Sequence, residues 1–213
     1  MTILKRLKKL FVRRSKNQRC FEKDSLKKKD NERWLEIGPG NERLPGFEGL
    51  NIVKNDATDY IADVAIDGIP LPDESFDLVY SSHFLEHIEW YKVEFVLKEM
   101  YRVLKKGGKV EIHVPDGLKI AQQLIFAEKG RINKTPDGWK RRNEENNPFL
   151  WVNGRMFYGD NLTYPSWHKG VFTERYLRQL LKKIGFTNIK KLGKPRGYDH
   201  GWIDLGISGT KEK

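Results

Sequence analysis

A short apolar run that ends directly in two glycines is the feature that most restricts the fold of this chain. Trp34-Leu35-Glu36-Ile37 has the length and apolar character of a buried strand, and Gly38-Pro39-Gly40 follows at once. Glycines at such a turn let the backbone come close to a ligand where a Cβ atom would collide, and α/β sheets bind ligands at the carboxyl ends of their parallel strands. The pattern therefore predicts a ligand site at the end of this strand in an α/β sheet.

Two common glycine-rich nucleotide sites do not fit this turn. A dinucleotide fingerprint requires a third glycine three residues after the second, and Arg43 stands at that position. A phosphate-binding loop requires Gly-Lys-Ser or Gly-Lys-Thr, which the sequence lacks. A site that cradles a pyrophosphate is therefore disfavoured.

Strands and helices alternate after the turn. Apolar runs predict strands at Leu50–Val53, Tyr60–Ile66, Phe76–Tyr80 and Val110–Val114, and near 188–193 and 202–208. Apolar residues at helical spacing predict one helix from Val93 to Leu104 with Gly107-Gly108 as its C-cap, one that carries Ile120, Leu124 and Phe126, and one from the N-cap Thr173 to Gly185. This alternation predicts an α/β fold with a mostly parallel sheet and helices on both faces.

The positive charge of the chain is concentrated at one end. Of the formal net charge of +11, residues 1–32 contribute +8, from 12 Lys and Arg and 4 Asp and Glu. The spacing of apolar residues over 2–14 predicts a basic amphipathic helix, which a linker joins to a globular domain at residues 33–213. Such a helix can bind an anionic membrane surface, or its apolar stripe can pack on the domain.

Cysteine content and hydropathy predict a cytoplasmic protein. The single cysteine, Cys20, cannot form an internal disulfide, which suits a reducing compartment. No apolar run approaches the roughly 18 residues of a membrane-spanning helix, and the basic start lacks the apolar stretch of a secretion signal. We expect no cleaved leader, and peripheral contact with the inner membrane leaflet through residues 1–32.

Four motifs in order resemble those of class I S-adenosylmethionine-dependent methyltransferases. These motifs are Trp34–Gly40, Leu71–Val79, Phe84–Ile88 and Val103–Gly108, and the similarity covers about residues 33–116. The resemblance implies methyl transfer, S-adenosylmethionine as cofactor, and a Rossmann-like sheet with an antiparallel last strand. The short step from Gly40 to the second strand further resembles predicted methyltransferases of surface-polysaccharide gene clusters.

The resemblance implies cofactor contacts at particular positions. The residues that match the first motif, whose glycines face the methionine part of the cofactor, are Glu36, Gly38, Pro39 and Gly40. The family normally ends its second strand in an acid that binds the ribose, but Val53 lies near that place, so Asp56 is our substitute. Asp67, followed by Gly68, matches the adenine-binding motif. Either aspartate could instead be an ordinary turn residue.

Ser81 and His83 follow the fourth predicted strand, so we expect them to line the cofactor crevice. His83-Phe84-Leu85-Glu86-His87 also matches the inverted zinc-protease pattern, but that pattern needs one sizeable helix, and a strand precedes this segment. The segment is also similar to the metal-binding Glu-x-x-Glu-His of some RNA ribose methyltransferases, with His83 in place of the first glutamate and His168 as a distant further ligand. We expect no metal, because a Glu-His pair is common here in this fold and often serves local hydrogen bonding.

Methyl transfer from a sulfonium is an in-line displacement, so a general base is needed only for a hydroxyl-like acceptor. His168 is the leading candidate, because histidine titrates near neutrality and its loop is the predicted lid. His87 and Asp116 are the other candidates. Each of the three could equally be structural.

Residues 129–168 interrupt the alternation and form a predicted lid or substrate segment. Its second half is rich in aromatic residues, which suits stacking on a sugar ring, stacking on bases, or packing on the core. The segment has a net charge of only +3, so we rank a glycan precursor above RNA and expect nucleic acid to be the less favoured partner.

The sequence thus predicts a methyltransferase that acts on an oxygen of a sugar or surface-glycan precursor. An RNA methyltransferase is the first alternative. A non-catalytic binding protein with this fold is the second, because the usual acid of the second strand is missing.

Overall fold

The computed structural model describes residues 28–133, 147–158 and 167–212. The predicted helix at 2–14, most of its linker and parts of the 129–168 segment lie outside the described residues. The strands are β1 (Trp34–Ile37), β2 (Glu48–Asn51), β3 (Tyr60–Ile61), β4 (Phe76–Ser82), β5 (Leu104–Pro115), β6 (Phe186–Leu192) and β7 (Asp204–Lys211).

Within the described ranges, four α-helices flank the strands: α1 (Val93–Val103), α2 (Gly117–Glu128), α3 (Pro148–Asn153) and α4 (Glu174–Ile184). Short 3₁₀ turns span Leu85–His87 and Gly201–Ile203, and a π-helix spans Gly154–Tyr158. None of the helices in the described ranges is long and apolar enough to cross a membrane.

The seven strands form one sheet in the order β3-β2-β1-β4-β5-β7-β6. The pairs among β1 to β5 are parallel, whereas β7 runs antiparallel to both β5 and β6. The predicted fold class, with a mostly parallel sheet and an antiparallel last strand, is therefore confirmed.

Successive residues of the central strands are buried on opposite faces of the sheet. The main core cluster contains Leu35, Ile37 and Val79, together with apolar residues of α1 and α4. A second cluster consists of Trp34, Leu44, Phe47, Leu78 and Tyr80. Burial on both faces explains why these strands read as continuous apolar runs rather than as alternating patterns.

The boundaries of α4 agree with its predicted caps. The Thr173 hydroxyl accepts a hydrogen bond from the Tyr176 amide at 3.3 Å. Gly185 takes the left-handed conformation with φ of 111° and ends the helix. Sequence-local signals were sufficient at both ends of α4.

Three element boundaries were predicted wrongly. The strand expected at Tyr60–Ile66 stops at Ile61, because the Asp63 carbonyl accepts hydrogen bonds from the amides of Ile66 and Asp67 and turns the chain. The strand expected at Leu50–Val53 runs from Glu48 to Asn51. Gly107-Gly108 does not cap α1: the helix ends at Val103, and the two glycines lie inside the long strand β5.

Candidate active site at the carboxyl ends of β1 and β4

The carboxyl ends of β1 and β4 lie side by side. Ile37 pairs with Ser81 in parallel register, so the Gly38 turn and the residues after Ser82 leave the sheet at the same edge. The Gly38 amide donates to the Leu50 carbonyl at 2.9 Å, which joins the end of β2 to the same place. The site predicted from the first strand is therefore a junction of three strand ends.

The two glycines of the turn have different surroundings. Both have positive φ, 71° at Gly38 and 65° at Gly40. A Cβ atom on Gly38 would lie 2.7 Å from Cδ2 of Phe84, whereas one on Gly40 would have no atom within 4 Å. Open space for a ligand therefore lies at Gly40, while Gly38 is needed for packing against Phe84.

Glu36 is 7% exposed, and its Oε2 accepts a hydrogen bond from the Leu44 amide at 2.7 Å. This bond fixes the loop that follows the two glycines. The structure thus gives the predicted cofactor-binding carboxylate a definite role in shaping the turn.

The chain after β2 is held against the glycine turn by two asparagines. The side-chain amides of Asn51 and Asn55 donate to the Gly40 carbonyl at 3.0 and 2.8 Å. Ile52 and Val53 lie between them and are 54% and 56% exposed. Because β2 ends at Asn51, this asparagine, and not Val53, stands at the strand end where the resemblance implied a ribose-binding acid, and an exposed apolar pair follows it.

Asp56, the substitute for the ribose-binding acid, is exposed and follows Asn55, whose side chain contacts Gly40. It lines a cavity of about 640 Å³ together with Lys28 and the loop at 41–48. None of the other predicted cofactor residues is among the residues that line this cavity.

Asp67 and Gly68 form a turn against α1. The Asp67 carboxylate is on an exposed residue and accepts from the Asp63 amide at 3.2 Å. Gly68 is buried, and a Cβ atom there would lie 2.7 Å from Oε2 of Glu99. Asp67 is thus accessible to a ligand, whereas Gly68 packs against the helix.

The two predicted site residues at the end of β4, Ser81 and His83, differ in their hydrogen bonds. Ser81 is 1% exposed, and its hydroxyl has no hydrogen-bond partner in the described part of the chain. His83 is strained, with φ of 52°. Its Nδ1 lies 3.1 Å from Oε1 of Glu86 and its Nε2 lies 3.0 Å from Oδ1 of Asp204.

Two carboxylates hold His83 in its charged form. Burial opposes the charge, but the hydrogen bonds to Asp204 and Glu86 and their negative charges outweigh it and raise the pKa of His83 to about 10. Although burial opposes ionisation of the carboxylates too, His83 keeps the pKa of both Glu86 and Asp204 below the usual values. The residue that follows β4 is thereby joined to the first residue of β7.

Two of the three predicted catalytic residues lie together. The rings of His87 and His168 are 5.1 Å apart between centroids. Nδ1 of His168 lies 2.8 Å from the Arg155 carbonyl, and Nδ1 of His87 lies 3.3 Å from the Trp167 carbonyl. Burial lowers the pKa of His168, which favours the neutral imidazole.

Asp116, the third predicted catalytic residue, caps a helix. Its Oδ1 accepts from the amides of Leu118 and Lys119 at 3.1 and 3.3 Å, at the start of α2. These bonds give Asp116 a structural role, and its catalytic role stays a prediction.

Several residues of this region were not predicted from the sequence. Asn51 and Asn55 belong to no motif that the sequence analysis used. Asp204 is 121 positions from His83, which it contacts. Glu86 was recognised only as part of a motif, although it is 1% exposed and lies between His83 and the histidine pair.

Comparisons with known proteins agree with this fold. Residues 37–112 match the family model described as a methyltransferase domain. Over 76 residues the chain is 36% identical to the demethylmenaquinone methyltransferase of Anoxybacillus flavithermus. These 76 residues make up 36% of this chain and 27% of that protein. The match thus spans about a quarter of the relative's length.

Solved structures share the fold across most of the chain. A methyltransferase of Methanosarcina mazei has a TM-score of 0.53 at 18% identity, with 86% of this chain and 94% of that chain covered. One of Thermotoga maritima has a TM-score of 0.51 at 21% identity, covering 85% and 83%. The 1,6-didemethyltoxoflavin-N1-methyltransferase of Burkholderia thailandensis, with S-adenosylhomocysteine bound, has 0.51 at 15% identity, covering 85% and 72%. The comparisons therefore show a match of residues 37–112 to a methyltransferase domain and a fold shared with solved methyltransferases.

Proposed function

We propose that this protein is an S-adenosylmethionine-dependent methyltransferase that methylates a hydroxyl oxygen of a sugar or surface-glycan precursor. The cofactor would bind at the junction of β1, β2 and β4, with Gly40 below its methionine part and Asp67 available to the adenine amine. Ile52 and Val53 offer an apolar surface for the adenosine.

The observation that carries the acceptor proposal is that two residues with exposed aromatic side chains contact the two histidines through their backbone carbonyls. Phe157 and Trp167 are 52% and 41% exposed. The His168 amide donates to the Phe157 carbonyl at 2.9 Å, and the Trp167 carbonyl contacts His87. An aromatic ring beside a proton acceptor suits a sugar, whose flat apolar face stacks while its hydroxyl reacts.

The reaction balances with the groups at this site. The acceptor oxygen forms a bond to the methyl carbon as the carbon–sulfur bond breaks, and the products are a methyl ether, S-adenosylhomocysteine and one proton. His168 is the proposed acceptor of that proton, because its Nδ1 lies against a carbonyl oxygen and its Nε2 therefore carries the lone pair.

The quinone substrate named for the Anoxybacillus relative is not carried over to this chain. The matched residues cover 27% of that protein, and the aromatic segment of this chain lies beyond the 37–112 match. RNA remains the alternative acceptor, and the same screen tests it.

Calorimetry followed by a transfer screen tests the proposal. We expect S-adenosylmethionine to bind one to one, and methyl transfer to glycan precursors to exceed transfer to RNA. His168→Ala should lower transfer strongly while binding of S-adenosylmethionine is kept. Absence of cofactor binding would favour the non-catalytic alternative, and transfer to RNA alone would overturn the glycan assignment.

Membrane contact through residues 1–32 is a separate part of the proposal. Vesicles with anionic lipid should bind the full chain and lose binding to a chain without residues 1–27. This deletion keeps Lys28, whose ammonium donates to the Gly46 carbonyl at 2.6 Å. Equal binding of both chains would contradict the membrane role.

A further inference from the structure

Glu86, His87 and His168 bring three ligand atoms together. One atom from each residue lies within 4.8 Å of the other two. Two imidazoles and one carboxylate form a ligand set that suits divalent first-row transition metals, with Zn²⁺ among them.

Hydrogen bonds fix which nitrogen of each histidine is available. A carbonyl oxygen can only accept, so Nδ1 of His168 and Nδ1 of His87 carry the protons that they donate to Arg155 and Trp167. The lone pair of each ring is therefore on Nε2. Metal-bound histidines in proteins show the same arrangement, in which the other ring nitrogen is held by a carbonyl or a carboxylate.

Glu86 supplies an independent observation that points to a cation. Its residue is 1% exposed, and its Oε2 has no hydrogen-bond partner in the described ranges. Its other oxygen, Oε1, contacts Nδ1 of His83 at 3.1 Å, so Oε2 is the oxygen that is available to a cation.

We propose that Glu86, His87 and His168 bind one divalent transition-metal ion, preferentially Zn²⁺, with a fourth position open to an oxygen of the acceptor. This inference revises the expectation of a metal-free site. Tetrahedral zinc holds its ligand atoms about 3.3 Å apart, so the cluster must contract by up to roughly 1.5 Å. His87 is only half-buried and its bond to Trp167 is long, so it is the residue able to move.

A second group of possible ligands, His83, His200 and Asp204, is a weaker site. Both ring nitrogens of His83 already contact carboxylates, and His83 is held in its charged form, which has no lone pair. His83 is therefore a positioning residue that orients Glu86, and His200 provides a matched control.

The role of the ion rests on the proposed function, whereas its binding does not. An ion that coordinates the acceptor hydroxyl lowers the pKa of that hydroxyl, so that its proton passes to water. With the ion bound, His168 acts as a ligand, which replaces the general-base role proposed for it and leaves the proposed cofactor and acceptor unchanged.

The test uses the full, untagged chain after treatment with a chelator. Titration calorimetry with Zn²⁺ should show one site, and Co²⁺ should give the visible absorption of a four-coordinate site. His87→Ala and His168→Ala should each weaken Zn²⁺ binding by about 100-fold or more. Loss of a residue that only hydrogen-bonds a metal ligand weakens binding by roughly 10- to 100-fold, so a larger loss identifies a direct ligand. His200→Gln should bind Zn²⁺ like the wild type, and circular dichroism should show that each variant is folded.

Three results would overturn the inference: no binding of Zn²⁺ or Co²⁺, unchanged binding in both alanine variants, or binding lost only in His200→Gln. Titration of the same chelator-treated protein with S-adenosylmethionine separates the two proposals. If the protein binds S-adenosylmethionine but not Zn²⁺, the metal site is rejected and the proposed function stands. If it binds Zn²⁺ but not S-adenosylmethionine, the proposed function is rejected and the metal site stands.

Discussion

The aromatic ring of Phe84 occupies the space that a side chain at Gly38 would need. The distance from a Cβ atom at Gly38 to Cδ2 of Phe84 would be 2.7 Å. Because Phe84 lies in the segment that follows β4, this contact joins the glycine turn of β1 to the β4 end of the site. The first glycine of the motif is thus required by the protein's own packing.

Gly38→Ala is expected to destabilise the protein more than Gly40→Ala. Both positions have positive φ, so both substitutions cost about 1 kcal/mol in backbone strain. Only the first adds a collision, for which about 1–3 kcal/mol is typical. Urea unfolding measures the difference, and Gly38→Ala should cost less stability in a Phe84→Ala background, where the ring that a Cβ atom would meet is absent. Equal losses at the two glycines would contradict the packing role.

Arg196→Leu is expected to lower the free energy of unfolding by about 3–5 kcal/mol, because it leaves the carboxylate of Glu111 buried without its partner. Arg196 binds Glu111 through two hydrogen bonds of 2.6 and 2.8 Å, and the side chains are 12% and 9% exposed. Lys98→Ala, which breaks an exposed pair with Glu94, should cost less than about 1 kcal/mol.

The double variant Glu111→Leu/Arg196→Leu provides the control for this pair. It removes both charges together, so it should be more stable than Arg196→Leu alone. Urea unfolding of all four proteins gives the comparison, and a loss for Arg196→Leu no larger than for Lys98→Ala would show that the pair is not effectively buried.

His113 is expected to make stability depend on pH below neutrality. Its residue is 1% exposed, and burial lowers its pKa to about 4. Between pH 6.5 and 4 the unfolded chain binds a proton that the folded chain does not, so the free energy of unfolding falls as the pH falls. The full lowering of the pKa of His113 corresponds to about 3 kcal/mol in the free energy of unfolding.

Urea unfolding of wild type and His113→Gln at pH 7 and pH 4.5 isolates this contribution. The stability difference between the two proteins should move in favour of the variant at the lower pH, because the variant has no imidazole to protonate. An identical pH dependence would show that His113 is not held neutral in the folded state.

Asp116 can be tested separately as a helix cap and as a catalytic group. Asp116→Asn keeps an oxygen acceptor for the amides at the start of α2, whereas Asp116→Ala removes it and should cost about 1 kcal/mol. If the residue only caps the helix, Asp116→Asn should keep both stability and methyl transfer. Lost transfer with unchanged unfolding and cofactor binding would instead support the predicted catalytic role.

Most of the fold was predictable because its signals are local. The run from Trp34 to Ile37 is apolar on both faces, and Thr173 and Gly185 mark the ends of α4 through contacts within a few residues. The strand expected at Tyr60–Ile66 failed because hydrogen bonds to the Asp63 carbonyl compete with strand propensity, which apolar periodicity does not reveal. Gly107-Gly108 failed as a helix stop because the two glycines lie at an irregularity of β5, between its pairs with Phe76 and Leu78 of β4, where Gly107 takes a positive φ of 80°.

The α/β architecture and the glycine turn at the end of β1 were predictable, since both follow from patterns within a few residues along the chain. Three contacts appear first in the folded chain: Phe84 fills the space at Gly38, Asp204 binds His83, and Glu86 lies beside His87 and His168. These contacts join residues that are up to 121 positions apart, and side-chain distances of 3 to 5 Å arise only when the sheet brings the strand ends together.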